Sequence, residues 1–319
     1  MSLFEKYKKL KKPKDKNQYK FDTLNLKKSK NHFIGINGLE HLALLFSTTN
    51  PKGKEENIQN LKLNHGVKAA IKYKGKETKK KFSILRCTSK DEKLKEIFLS
   101  SLDNTVENIS DNISEKEIYE RTKNLIELYK KISKNKNNDL TGFWGELFII
   151  KYLNSKELLV EAWHPDTNDT FDFFIRNQAL EIKTTTSNDR KHHFTYEQLN
   201  SKNNIIIVGS VMLRKSRSGV SLLELKNDII KKINKKHLKE KLQEMYDIMT
   251  GLKTQTELDN AKYICEYAED NIRFFDSKKI PRIKETPMHG IKNIRFESNL
   301  NGIENINDFF NYEFLLFKF

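Results

Sequence analysis

Apolar and polar residues alternate with a period of two in four short runs of the first part of the chain: His32–Ile36 (HFIGI), His41–Phe46 (HLALLF), Gly66–Lys74 (GVKAAIKYK) and Lys81–Cys87 (KFSILRC). That alternation predicts strands with one buried face, and the stretches NPKGKEEN and KGKETK between them read as turns. From Ser89 the period lengthens. Leu94, Ile97, Phe98 and Leu102 fall on one side of a helix that runs towards Ile109.

A second helix is signalled at Ser114, an N-cap with Glu117 in the position of a capping box, and it carries Ile118, Leu125, Tyr129 and Ile132 on one face. SKNKNND breaks it, and Asp139 is placed to cap the next helix, LTGFWGELFIIKYLNS. Strands are then predicted at Leu158–His164 (LLVEAWH), Phe171–Ile175 (FDFFI), Ala179–Thr185 (ALEIKTT) and Ile205–Leu213 (IIIVGSVML), followed by helix, as one or two pieces, over Ser221–Met249. In the tail, Ile272–Asp276, Ile291–Ser298 and Tyr312–Phe319 read as strands, the last apolar enough to be docked. The pattern divides the chain into an N-terminal α+β domain over 1–112, expected to bind DNA or a partner, and a second domain over 113–319.

Composition adds a partner class. The chain of 319 residues carries a formal charge of +16, which points to a polyanion such as nucleic acid. Only nine of the 59 basic residues are Arg. Lysine suits general attraction to phosphate better than the reading of bases. Residues 1–30, with eleven Lys, read as a solvated basic arm or face. The N-terminus has no apolar h-region, and no apolar run reaches the ~20 residues of a membrane helix. The expectation is a cytoplasmic protein with no membrane association. Cys87 and Cys265 make no metal or redox motif.

The most informative stretch is FDFFIRNQALEIKTTTS, Phe171–Ser187. Two apolar strand-like runs flank a short turn, yet they hold Asp172, Glu181 and Lys183. Side chains alternate across a strand, so Glu181 and Lys183 share a face. A two-residue loop at Arg176–Asn177 puts Asp172 opposite Glu181; a four-residue loop over Arg176–Ala179 puts it opposite Lys183. Either places all three on one side, and a slip of one residue separates them. Two carboxylates held so close repel unless a cation intervenes. A divalent ion does this, acidifies a bound water and polarises a phosphoryl oxygen, while an ammonium stabilises the transition-state charge. A surface salt-bridge cluster on an edge hairpin is the plain alternative.

Glu146 adds to the first reading. In GFWGELFII it has Phe143 one turn before and Ile149 and Ile150 one turn after, a costly place for an acid without a partner. Gly142 and Gly145 suggest a helix pressed onto a sheet, roofing the pocket into which the strand acids point.

The order and identity of these residues resemble the PD-(D/E)xK nuclease superfamily, and GFWGELFIIKYL, VEAWH, DFFI and LEIKTTTS resemble a bacterial group of such proteins found near restriction and phage-defence genes. The core of the match runs from about Leu140 to Leu213. The resemblance implies an α/β, restriction-endonuclease-like mixed central sheet flanked by helices, within a chain that is α+β as a whole. It implies Asp172, Glu181 and Glu146 as metal-binding acids, Lys183 as the catalytic lysine, and Mg²⁺ as cofactor with Mn²⁺ able to substitute. Phe171 stands where the family name has Pro. The literal Pro165–Asp166 lies in a turn-rich loop, which leaves Asp166 and Asp169 as alternatives. Gln198 matches a glutamine of some relatives. His192 and His193 fall in a predicted loop after the lysine strand, and Thr184, Thr185, Thr186 and Ser187 are potential phosphate hydrogen-bonders.

The function implied is a metal-dependent DNA endonuclease resembling type II restriction enzymes, in a restriction–modification or phage-defence setting. Its substrate would be double-stranded DNA and its form a homodimer, with a methyltransferase or ATPase as further partner. The rival from another class is a non-catalytic DNA-binding or scaffold subunit of a defence complex; an RNA nuclease is the third reading.

Overall fold

The computed structural model describes residues 2–26, 29–48, 53–103, 106, 109–135, 139–163, 170–201, 203–285 and 290–307. The chain forms two compact units, Met1–Lys136 and Asn137–Phe319. The division therefore falls later than position 112, because the helix opened by Ser114 packs its apolar face within the first unit.

In the first unit, helix α1 (Leu3–Tyr7) precedes strands β1 (Lys20–Asn25), β2 (Phe33–Asn37), β3 (Leu42–Phe46), β4 (Glu56–Ile58), β5 (Leu61–Tyr73) and β6 (Lys76–Cys87), then helices α2 (Glu92–Asp103) and α3 (Glu115–Lys134). The strand order is β1-β2-β3-β6-β5-β4, and β1 also pairs with β5 in parallel. The ladder thus returns on itself as a ring of β1, β2, β3, β6 and β5. Phe21, Phe33, Ala43, Leu45, Ala69, Ile71, Phe82 and Ile84, drawn from all five strands, fill one core. Of the two readings of residues 1–30, the free arm is corrected, since Phe21 is fully buried in β1 and Leu3 is buried in α1, while Lys8, Lys9, Lys11, Lys12, Lys14 and Lys16 form a solvated face. The Ser114 hydroxyl accepts from the Glu117 amide and caps α3. Glu117 binds Arg121 instead of reaching back to the cap.

In the second unit, α4 (Leu140–Tyr152) and α5 (Lys156–Ala162) lead into β7 (Phe173–Ile175), β8 (Gln178–Thr185), β9 (Lys191–Thr195), α6 (Tyr196–Asn200), β10 (Ile205–Met212) and β11 (Lys215–Ser221). Then follow α7 (Leu222–Lys232), α8 (Lys236–Thr250), α9 (Gln255–Asn260), β12 (Lys262–Tyr263), α10 (Cys265–Asn271), β13 (Arg273–Asp276) and β14 (Arg295–Asn299). The central sheet is mixed, in the order β13-β10-β8-β7, with β8 and β10 parallel and both outer pairings antiparallel. This is the mixed α/β architecture the resemblance implies.

Two sequence expectations fail in this unit. Leu158–His164 is not a strand: Leu159, Val160 and Ala162 are buried on the short helix α5, and Trp163 only touches the sheet through a single bridge to Phe173. A short apolar run has no period that separates helix from strand. His192 and His193 lie on β9, not in a loop, and β9 pairs with β14. The expected strand over Tyr312–Phe319 lies outside the described residues. Among the described residues no helix is long and apolar enough to cross a membrane.

Candidate active site

The site is built where β7 and β8 meet. Residues Phe173, Phe174 and Ile175 pair with Leu180, Ala179 and Gln178, so the turn is the two-residue one, Arg176–Asn177, with Arg176 at φ 57°. Continuing this register brings Asp172 level with Glu181. The ladder ends at Phe173, however, and Asp172 sits in a bend before it. Its Oδ2 accepts from the Ile182 amide at 2.6 Å. The carboxylate thus takes the place of the backbone acceptor that a longer β7 would have supplied, and it lies at the margin of the sheet instead of on a strand face.

On β8, alternation separates two sets. Leu180 and Ile182 join Phe143, Leu147 and Ile150 of α4 in the main core. Helix α4 comes so close that a Cβ on Gly145 would stand 2.2 Å from Thr184 Cγ2. Gly142 meets only Asp139 Oδ2, at 3.7 Å, so of the two glycines Gly145 alone is required for the approach. Glu181 and Lys183 project to the other side, towards β9 and α6. The helix therefore covers the face opposite to Glu181 and Lys183, and does not roof them as expected. The reason is simple alternation: the apolar set of β8 is what α4 needs to bury.

Glu181 is 3 % exposed. Its Oε1 lies 2.7 Å from Lys183 Nζ and accepts from Gln198 Nε2 at 2.6 Å. Gln198 Nε2 also donates to the Thr170 carbonyl, and its Oε1 accepts from the Thr195 amide and, at 3.4 Å, from Lys183. Gln198 is thus locked as part of the capping box of α6 and in turn locks Glu181. Lys183 Nζ also lies 5.3 Å from the centre of the Phe194 ring. From α4, Glu146 Oε2 accepts from Trp163 Nε1 at 2.7 Å. Trp163 is stacked between Phe143 and Phe173, at 5.9 and 6.1 Å.

Electrostatics tie the four ionisable groups together. Burial pushes the Glu181 carboxyl up to about 8, with the charge of Asp172 adding to the rise and Lys183 opposing it. Burial also raises Asp172 to about 6, against its bond from the Ile182 amide and the charge of Lys183. Glu146 is held well above the usual carboxyl range, by burial first and by the charge of Asp172 next, while the Trp163 donor opposes this. Asp172 and Glu146 keep some surface in solvent, so the burial penalty is firmest at Glu181. Three acids, of which Asp172 raises the other two and Glu181 adds to the rise of Glu146, share one lysine and form a site poised to release protons to a cation.

The donor set fits such an ion. Glu181 Oε2 is buried and has no hydrogen-bond partner, a costly state for an oxygen with nothing to bind. Mg²⁺ takes one or two carboxylates and completes its shell with water. Among the described residues no group of three or more His, Cys, Asp or Glu side chains is gathered closely enough to hold a metal. The residues therefore suit a two-acid site on Asp172 and Glu181, with Glu146 set back on Trp163.

Of the other predicted residues, Gln198 belongs to the site. His192 is buried, with Nε2 2.8 Å from Ser210 Oγ, and burial lowers it to about 4; it is a structural histidine. His193 is exposed and 3.8 Å from Glu297. Thr184 packs under Gly145, Thr185 Oγ1 accepts from the Ser187 amide, Ser187 Oγ accepts from the Asp189 amide and Thr186 is exposed. Asp166 and Asp169 lie outside the described residues. Trp163 and Phe194 were not anticipated. Trp163 was hidden in a run read as a strand, and Phe194 in a segment read as a loop, although His192 and Phe194 already alternate there.

The family described as "Putative PD-(D/E)XK family member, (DUF4420)" matches residues 3–301. No curated protein and no solved structure matches the chain.

Proposed function

We propose, for a chain that belongs to the PD-(D/E)XK family DUF4420, that the second unit is a metal-dependent deoxyribonuclease. The observation that carries this reading is the meeting of Asp172, Glu181, Lys183 and Gln198 at the end of β7, with one Glu181 oxygen buried and unpartnered.

Asp172 and Glu181 would hold the ion. When bound, a divalent cation polarises the phosphoryl oxygen and acidifies a water. Lys183, steadied by Glu181 and Gln198, orients the attacking water and stabilises negative charge growing on the phosphoryl oxygens. Water adds to phosphorus, the P–O bond to the leaving oxygen breaks, and that oxygen takes up a proton. Gln198 keeps Glu181 turned into the site, and Glu146, held by Trp163, would assist through ordered water. Mg²⁺ is the expected ion and duplex DNA the expected substrate, cut on both strands by a homodimer in a restriction or phage-defence setting.

Plasmid cleavage in Mg²⁺ tests the proposal. The wild type should nick or linearise plasmid, and Lys183→Ala should lose about 10²- to 10³-fold in rate. Binding without cleavage by both proteins, in Mg²⁺ and in Mn²⁺, would refute the enzyme and leave the non-catalytic subunit.

A further inference from the structure

The formal charge of the chain is divided very unevenly. Residues of the first unit include 32 Lys and Arg against 17 Asp and Glu, whereas the second unit has 27 against 26. Nearly half of this excess lies in the strand pair β5–β6, where eight Lys and Arg face Glu77 alone. Lys68 stands directly opposite Lys81, and Ala70 opposite Lys79. With Val67, Ala69, Ile71 and Phe82 turned inward to the ring's core, Lys68, Ala70, Lys79 and Lys81 face outward. Like charges in register across an antiparallel pair destabilise it. No acid is ion-paired with Lys68, Lys79, Lys80 or Lys81 among the described residues, although neighbouring Lys20 has Glu77 at 3.2 Å.

These lysines line a cavity of about 630 Å³ together with Asn17, Tyr19, Ala69 and Ala70. Small alanines form part of its lining between long cationic side chains. Tyr19 is one of the few large apolar side chains left exposed, at 37 %. Its backbone is fixed, since its carbonyl accepts from the Ala70 amide at 2.9 Å. The Arg86 guanidinium lies 5.5 Å from the centre of its ring. A ring lining a cavity with lysines, with a cation beside it, suits a ligand that carries both phosphates and unpaired planar bases.

We infer that this cavity on the outer face of β5–β6 binds a single-stranded segment of nucleic acid, with Lys68, Lys79 and Lys81 on its phosphates and Tyr19 stacked on a base. Duplex DNA fits less well, because its bases present no free face to the ring. The inference goes beyond cleavage and requires neither a metal nor the acids of the second unit.

Fluorescence anisotropy with the full chain, a labelled 12-nucleotide strand and the matching duplex, all in EDTA, tests it apart from any nuclease activity. The strand should bind at least tenfold tighter than the duplex. Lys79→Ala with Lys81→Ala should weaken strand binding about tenfold at 0.1 M salt. The same pair should make the log affinity–log salt slope shallower by about 1.4, for two lost contacts. Tyr19→Leu should cost at least fivefold, and Tyr19→Phe should bind as wild type. Lys116→Ala with Lys123→Ala removes the same charge from exposed positions on α3 and should leave most of the affinity. Equal losses in the two lysine pairs would reduce the effect to general charge and overturn the site. Equal binding of strand and duplex, or wild-type affinity in either the Lys79/Lys81 pair or Tyr19→Leu, would overturn it as well.

Discussion

Replacing Gly145 by alanine tests how α4 is set against β8. The added Cβ would stand 2.2 Å from Thr184 Cγ2 and 3.5 Å from Ile182 Cγ2. The second contact is ordinary; the first forces a shift. Overpacking of this kind costs about 1–3 kcal/mol, and the better helix propensity of alanine returns about 0.5–1 kcal/mol. The net expectation is a loss of about 1 kcal/mol, or a urea midpoint lower by roughly 0.3–1 M. Thr184→Ser removes the offending methyl, so in its presence Gly145→Ala should become neutral or stabilising. The coupling between the two sites should be about 2 kcal/mol. Tryptophan fluorescence isolates the relevant unit, since both tryptophans, Trp144 and Trp163, are buried there. A Gly145→Ala protein with an unchanged midpoint, and the same response whether residue 184 is Thr or Ser, would show that helix and strand are not in this contact. The position of Glu146 would then lose its structural basis.

In EDTA the second unit should lose stability as pH rises from about 4.5 to 8. Asp172 and Glu181 are raised in the native state to about 6 and about 8, so the native state holds protons that the unfolded chain has released, and their contribution disappears as pH climbs through those values. Urea midpoints across that range check this, and Glu181→Gln should flatten the upper part of the curve; a flat wild-type profile would refute it. Mg²⁺ should raise the melting temperature more at pH 8 than at pH 6, an effect lost in Asp172→Asn, since the ion must displace those protons. Trp163→Phe removes the donor that holds Glu146 and leaves the aromatic stack, so Glu146 should titrate still higher and the cleavage–pH profile should move upward. An unmoved profile with reduced stability would make Trp163 purely structural.

The hairpin is legible because strand periodicity allows few solutions: Glu181 and Lys183 share a face, and the shorter of the two even loops is realised, although Asp172 lies beyond the end of the ladder. Asp139 was legible because a cap is a local hydrogen-bond pattern, with its carboxylate accepting from the amides of Thr141 and Gly142. The early strand β1 escapes the sequence pattern because the lysine-rich segments on either side of it mask the alternation of Phe21 and Thr23 towards the interior. α5 was missed because three consecutive apolar residues satisfy either period. The side of the sheet that α4 covers follows from β8, whose apolar residues are Leu180 and Ile182. The sequence reading assigned the helix instead to the acids, by giving the cost of a buried Glu146 more weight than the larger area of the apolar face.

The point at which β7 stops has a consequence for the acidity of the site. Asp172 can accept from Ile182 only because no strand residue already does so. Two more ladder residues, pairing Phe171 with Ile182, would occupy that amide and expel the carboxylate, with every side chain of the constellation unchanged. Strand length thus acts as a control on proton affinity, separate from the choice of acid. A chain could weaken or strengthen its hold on a cation by lengthening or trimming a hairpin arm, a change invisible to any comparison of the charged residues alone.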